Sequence, residues 1–271
     1  MKNKSRRKYL KFFLGVLGST LLLSWIFRRQ LIRKFLFTFP ENPSSIKITS
    51  APLPSKPCVL TSQQVEGPFY FPSPERRNIV EDRKGAPLKL NIQVTNYPDC
   101  VPLNNAVVEI WQADAEGNYS GYPKQISKDE WKMFMLFGQH GHKKADGEYT
   151  VSPVSSSKYL RGIQRTDVNG WVSFETIVPC WYLARVPHIH FKVFVNDKEQ
   201  INSQFYFDKA FCDHLFTTEE PYNKVGICPI DFKSDGVLSG VKGDQSGLLL
   251  SIIIDENKNY ATTCTIGIQQ A

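Results

Sequence analysis

The chain has 271 residues, 41% of them hydrophobic, which is enough to close the core of one large β domain or two small ones and excludes a disordered chain. Its formal charge of +7 is not evenly spread: residues 1–34 carry ten Lys or Arg and no Asp or Glu, which leaves 23 basic and 26 acidic side chains, a net of −3, for the other 237. A body of that charge is no polyanion binder, so nucleic acid is excluded as a partner.

In chain order, the basic head comes first. Ser5-Arg6-Arg7-Lys8-Tyr9-Leu10-Lys11 precedes an apolar run from Phe12 to Phe27 and resembles a twin-arginine export signal with Tyr9 in place of Phe. Arg28, Arg29, Arg33 and Lys34 follow the run where a small-x-small cleavage motif would stand. The run is shorter than the roughly 20 apolar residues that span a bilayer comfortably. Residues 1–37 are therefore expected to act as an export signal or an uncleaved anchor, keeping the body at a membrane and outside the cytoplasm. Residues 38–57, rich in Pro and Ser, read as a tether, and 58–271 as the folded domain. Cysteines at 58, 100, 180, 212, 228 and 264 form no CxxC or zinc-like cluster. Their even number fits disulfides in an oxidising compartment, with separate buried thiols as the alternative.

From residue 58 onward the pattern is all-β. Leu88 to Val94 alternates apolar and polar residues, as a half-buried strand does, and Ala106 to Trp111 predicts a second strand. Residues 124–158 break the rhythm, predicting one short helix and a polar loop in which His140 and His142 are solvated. Leu160 to Arg165 and Trp171 to Val178 flank Asn169-Gly170, a hairpin signal. Leu248 to Ile254 and Tyr260 to Ile268 predict a last hairpin. Many short strands at this spacing predict a β-sandwich.

The strand from His188 to Val195 carries the chemistry. Alternation places Ile189, Phe191, Val193 and Val195 on one face and His188, His190 and Lys192 on the other, so two imidazoles project together. A metal held there needs further donors. Fe(II) or zinc would use a carboxylate, for which Glu175 and Asp208 are candidates; Fe(III), a hard and highly charged acid, would use phenolates, for which Tyr119 and Tyr182 are candidates. The residue types leave both sets open.

Five ordered boxes resemble the intradiol ring-cleavage dioxygenase family. They are Gln64-Val65-Glu66-Gly67-Pro68-Phe69-Tyr70, Ala106 to Ala115 with Gly117-Asn118-Tyr119-Ser120, Leu160 to Asp167, Pro179-Cys180-Trp181-Tyr182, and His188-Ile189-His190-Phe191. The resemblance implies a β-sandwich enzyme that binds Fe(III) through Tyr119, Tyr182, His188 and His190. It assigns Arg185 and Gln204, with Tyr182, to catalysis, and Val65, Gly67 and Pro68 to the substrate pocket. The implied reaction cleaves a catechol-type diol with O2 between its hydroxylated carbons, giving a cis,cis-muconate-type diacid. A non-enzymatic β-sandwich binding module, and an Fe(II) or zinc enzyme using His188, His190 and a carboxylate, are the competing classes. Three departures stand out. Only five residues separate Tyr182 from His188, which predicts a more open pocket rim; Cys180 stands where the family has Gly; and Gln112 replaces a common His.

Overall fold

The computed structural model describes residues 59–124, 129–241, 246–254 and 259–269. The expected leader, the tether and Cys58 lie outside the described residues. No described helix is long and apolar enough to cross a membrane.

The strands are β1 (Pro87–Asn96), β2 (Val101–Pro102), β3 (Val107–Gln112), β4 (Gly141–Lys143), β5 (Tyr149–Val151), β6 (Arg161–Arg165), β7 (Trp171–Ile177), β8 (His188–Val195), β9 (Lys198–Phe207), β10 (Leu249–Leu250), β11 (Ile253–Ile254) and β12 (Tyr260–Ile268). Helices α1 (Glu130–His140), α2 (Lys209–Thr218) and α3 (Tyr222–Val225) join them. In one sheet β1 lies beside β12 in parallel along its whole length, with β7 and then β2 antiparallel to it and β11 outside β12. The other sheet runs β10-β9-β8-β3-β6, and β4 and β5 form a separate hairpin.

Leu88, Leu90, Ile92 and Val94 of β1 meet Val108 and Ile110 of β3 and Ile189, Phe191 and Val193 of β8 in one core. Each such side chain contributes about 1.5–3 kcal/mol by leaving water, so the strict alternation of β1 specifies which face turns inward. Gln112 lies in this interior too. Its Nε2 donates to Ile177 O at 2.7 Å and its Oε1 accepts from Thr176 Oγ1 at 3.1 Å, so it bridges the two sheets. Gly162 is required by close approach, because a Cβ there would stand 2.5 Å from Ile79 Cγ2 and 3.0 Å from Arg76 O.

Three expectations are corrected. The Asn169-Gly170 turn forms, with Gly170 at φ +77° and its N–H donating to Asp167 O at 2.9 Å, yet β6 and β7 do not pair. β6 pairs with β3 and β7 with β1, so the two arms of the turn enter opposite sheets. Leu248 to Ile254 is not one strand: Leu249–Leu250 pairs with β9, and Ile253–Ile254 crosses to β12, forming only the end of the expected hairpin. The polar loop after α1 is itself a hairpin, β4–β5, with His140 and His142 exposed.

The cysteines follow the thiol alternative where the structure decides. Cys212, Cys228 and Cys264 are free thiols, and Cys180 is buried in the same core as Cys212 and Cys228. Burial pushes the Cys228 thiol up to about 11 and the Cys212 thiol well above its usual range, so both behave as small apolar groups.

Candidate metal centre and substrate pocket

β8 is flanked by β9 and β3, and its alternation holds both imidazoles on one face, opposite Tyr206 and Gln204 on β9. Tyr119 arrives from a turn after β3. There Asp114 Oδ1 accepts from the N–H groups of Glu116 at 2.9 Å and Asn118 at 2.8 Å, and Gly117 supplies φ +81°. Tyr182 comes from a tight turn closed by the Arg185 N–H donating to Tyr182 O at 2.9 Å, with Ala184 at φ +57°. The four side chains converge. His188 Nε2 lies 3.1 Å from His190 Nε2, 3.3 Å from Tyr182 Oη and 3.4 Å from Tyr119 Oη.

All four are buried. Trp111 stacks on His190 with ring centroids 4.7 Å apart, and Phe69 stacks on Tyr119 at 4.9 Å. His188 Nδ1–H donates to Val186 O at 2.6 Å, which fixes the tautomer and leaves the Nε2 lone pair pointing at the phenols. His190 Nδ1 is buried with no hydrogen-bond partner. Burial, with the Arg185 charge adding to it, lowers His188 to about 3; burial, His188 and Arg185 together hold His190 well below the usual imidazole range. Both rings are therefore neutral, the form that ligates. Burial raises Tyr119 well above the usual phenol range, and raises Tyr182 against the opposing pull of Arg185. Deprotonating two such phenols takes a small, strongly charged cation, so this donor set fits Fe(III).

The carboxylate alternative is not built. Glu175 is exposed on the outer face of β7, bound to Asn78 at 3.1 Å and Arg77 at 3.3 Å, while Asp208 caps α2 by accepting from Ala210 N at 2.8 Å. Among the described residues no three His, Cys or carboxylate groups gather as a metal site.

Beside the four donors runs a chain of buried polar contacts. Arg185 Nε donates to both oxygens of Asp235, at 3.1 and 3.0 Å, and its Nη2 donates to Gln204 Oε1. Gln204 Nε2 in turn donates to Val65 O at 3.0 Å. Burial alone would raise the Asp235 carboxyl and lower the Arg185 guanidinium, but each outweighs the other's burial, so Asp235 lies below and Arg185 above its ordinary value. Three backbone N–H groups, from Val186 at 2.8 Å, Val237 at 2.9 Å and Leu238 at 2.8 Å, complete the Asp235 shell. Tyr206 Oη adds donations to Gln64 Oε1 at 2.5 Å and to Gln204 Oε1 at 3.2 Å.

The structure thus brings together Arg185, Gln204, Val65 and the four expected donors. Val65, Gly67 and Pro68 line a cavity with Tyr182 and Arg185. Gly67 has φ +78°, and its missing Cβ would stand 3.4 Å from His190 Cε1. The cavity measures about 10 Å³, and Met133 of α1 is among its lining residues. Sequence reasoning missed Asp235, Met133 and Arg161. The buried Arg161 donates from Nε to Ser120 Oγ at 2.7 Å and from Nη2 to Phe69 O at 2.8 Å, pinning both neighbours of the Tyr119 ring. Its place in the Leu160 to Asp167 box was the one available signal; Asp235 and Met133 sit in no motif.

Fold and site together define a β-sandwich protein with a buried set of two phenols and two imidazoles. The chain belongs to the intradiol ring-cleavage dioxygenase family: residues 65–222 match the family model described as Dioxygenase. Catechol 1,2-dioxygenase 1 of Acinetobacter lwoffii is 23% identical over 211 residues, 68% of this chain and 58% of that protein. The chain thus spans less than two thirds of that curated relative. An intradiol ring-cleavage dioxygenase from Tetranychus urticae superposes with a TM-score of 0.65 at 28% identity, covering 78% of this chain and 95% of that one. Hydroxyquinol 1,2-dioxygenase from Pseudomonas putida shares the fold at a TM-score of 0.50 and 17% identity, over 80% of this chain and 69% of its own.

Proposed function

We propose that this protein is an Fe(III)-dependent intradiol dioxygenase that adds both atoms of O2 to a catechol-type diol, yielding a cis,cis-muconate-type diacid. The observation that carries this reading is the convergence of Tyr119, Tyr182 and His190 within 3.1–3.4 Å of His188 Nε2. When bound, ferric iron supplies Lewis acidity and the electronic coupling that opens an aromatic diolate to O2. The protein supplies the rest. The Tyr182 phenolate oxygen, beside the cavity, is placed to take a diol proton as general base. Arg185, clamped by Asp235 and Gln204, fixes a positive charge against the electron density that develops on the ring. Val65, Gly67 and Pro68 offer a narrow apolar slot for the flat ring edge, and the buried setting excludes water.

The visible spectrum tests this directly. The iron-loaded protein is expected to be wine-red, because tyrosinate-to-Fe(III) charge transfer absorbs in the visible, and Tyr119→Phe is expected to shift or weaken the band. A colourless preparation holding one iron per chain would sink the assignment.

We also propose that the catalytic body works at a membrane, outside the cytoplasm, held by residues 1–37; the Arg6-Arg7 pair, the apolar run and its flanking charges support this. Changing Arg6 and Arg7 to Lys is expected to stop export, followed as body accumulating in the cytoplasm. Unchanged export of that variant would leave a generic signal or anchor.

A further inference from the structure

The cavity in front of Tyr182 and Arg185, at about 10 Å³, holds roughly one water molecule. Pockets for small organic ligands run to roughly 300 Å³ and more, so an aromatic diol enters only if one wall gives way. Three of the walls are fixed. Val65 is tied by its carbonyl to Gln204, Arg185 is clamped by Asp235, and Val237 is held by its N–H to the same carboxylate.

Of the other apolar side chains in the lining, which include Phe69 and Leu183, Met133 is the most adaptable. It is 1% exposed and packs with Phe69, Tyr119 and Tyr182, but its unbranched thioether has no polar tie and three rotatable bonds beyond Cα. It rides on α1, in the segment 124–158 that breaks the strand rhythm. On the outer face of that helix Phe134 and Met135 are exposed.

We propose that Met133 determines substrate specificity: its side chain occupies the space a diol's ring and substituents must take, and its length sets the largest ring the site admits. This rests on reading the site as a catechol pocket. It assigns discrimination to α1, while Arg185 and the four donors handle what all catechols share.

The test uses iron-loaded wild type, Met133→Ala and Met133→Phe with catechol and 4-tert-butylcatechol. It measures kcat/KM for each diol, and the Kd of each without O2 from the change in the visible band. Met133→Ala is expected to raise the preference for the bulky diol over catechol by about 10-fold or more, and Met133→Phe to lower it. Iron per chain and the band of the diol-free protein are expected to match wild type in both variants. An unmoved preference overturns the proposal. So does a loss of iron, which would make Met133 a prop for the tyrosines. Should Met133→Ala fail to fold, the Phe variant decides by the same ratio. A wild type that binds iron yet cleaves neither diol would sink the proposed reaction, while the ratio of the two Kd values would still decide the role of Met133.

Discussion

Arg185→Gln is expected to leave iron content and diol binding near wild type while turnover of a catechol falls by about 100-fold or more. Removing one preorganised donor from a water-excluded site costs about 3 kcal/mol of transition-state stabilisation, and each 1.4 kcal/mol or so is tenfold in rate. The structure explains why the loss should fall on turnover. Arg185 lines the cavity beside Tyr182, and its guanidinium is held in place by Asp235 and Gln204. Its charge is needed only when ring electron density rises, which is a property of the transition state. Arg185→Lys should recover little, because an ammonium cannot meet both Asp235 and Gln204 as the planar guanidinium does. Wild-type turnover in Arg185→Gln would remove the residue from the chemistry. Loss of iron would instead make it a support for the turn that carries Tyr182.

Asp235→Ala is expected to destabilise the domain by about 3–5 kcal/mol in urea unfolding and to lower turnover with it. Both members of the Arg185–Asp235 pair are almost wholly buried, so deleting the carboxylate strands a guanidinium in a low-dielectric interior, the costly way to break such a pair. It also orphans the N–H groups of Val186, Val237 and Leu238, each of which loses its acceptor. Asp235→Asn should recover part of this through its remaining oxygen, but its Nδ2 would face backbone donors where an acceptor is required. A change in unfolding free energy below about 1 kcal/mol in Asp235→Ala would show that water or Gln204 satisfies Arg185 alone, contrary to this account.

The strand order could not be read from local pattern. Asn169-Gly170 makes the turn its residues favour, but a turn's chemistry sets only the reversal of the chain. Which sheet each arm enters depends on the strand edge it pairs with, β3 for β6 and β1 for β7, and those edges come from distant parts of the chain. Leu248 to Ile254 shows the same limit: apart from Ser251 it is apolar, so no period says where it leaves one sheet for the other.

What the sequence determined by itself was the family and the candidate donors. Strand periodicity puts His188 and His190 on one side of β8 whatever surrounds them, and the ordered boxes around Tyr119 and Tyr182 identify the family. The tertiary structure alone decided how those donors are held and what stands before them. Asp235 lies fifty residues from Arg185, and Met133 fourteen from Tyr119 in a segment with no motif, so neither partnership leaves a periodic trace. Both arise in packing: closing the sandwich buries a guanidinium that must find a counter-charge, and gathers Met133 of α1 into one apolar cluster with Phe69, Tyr119 and Tyr182.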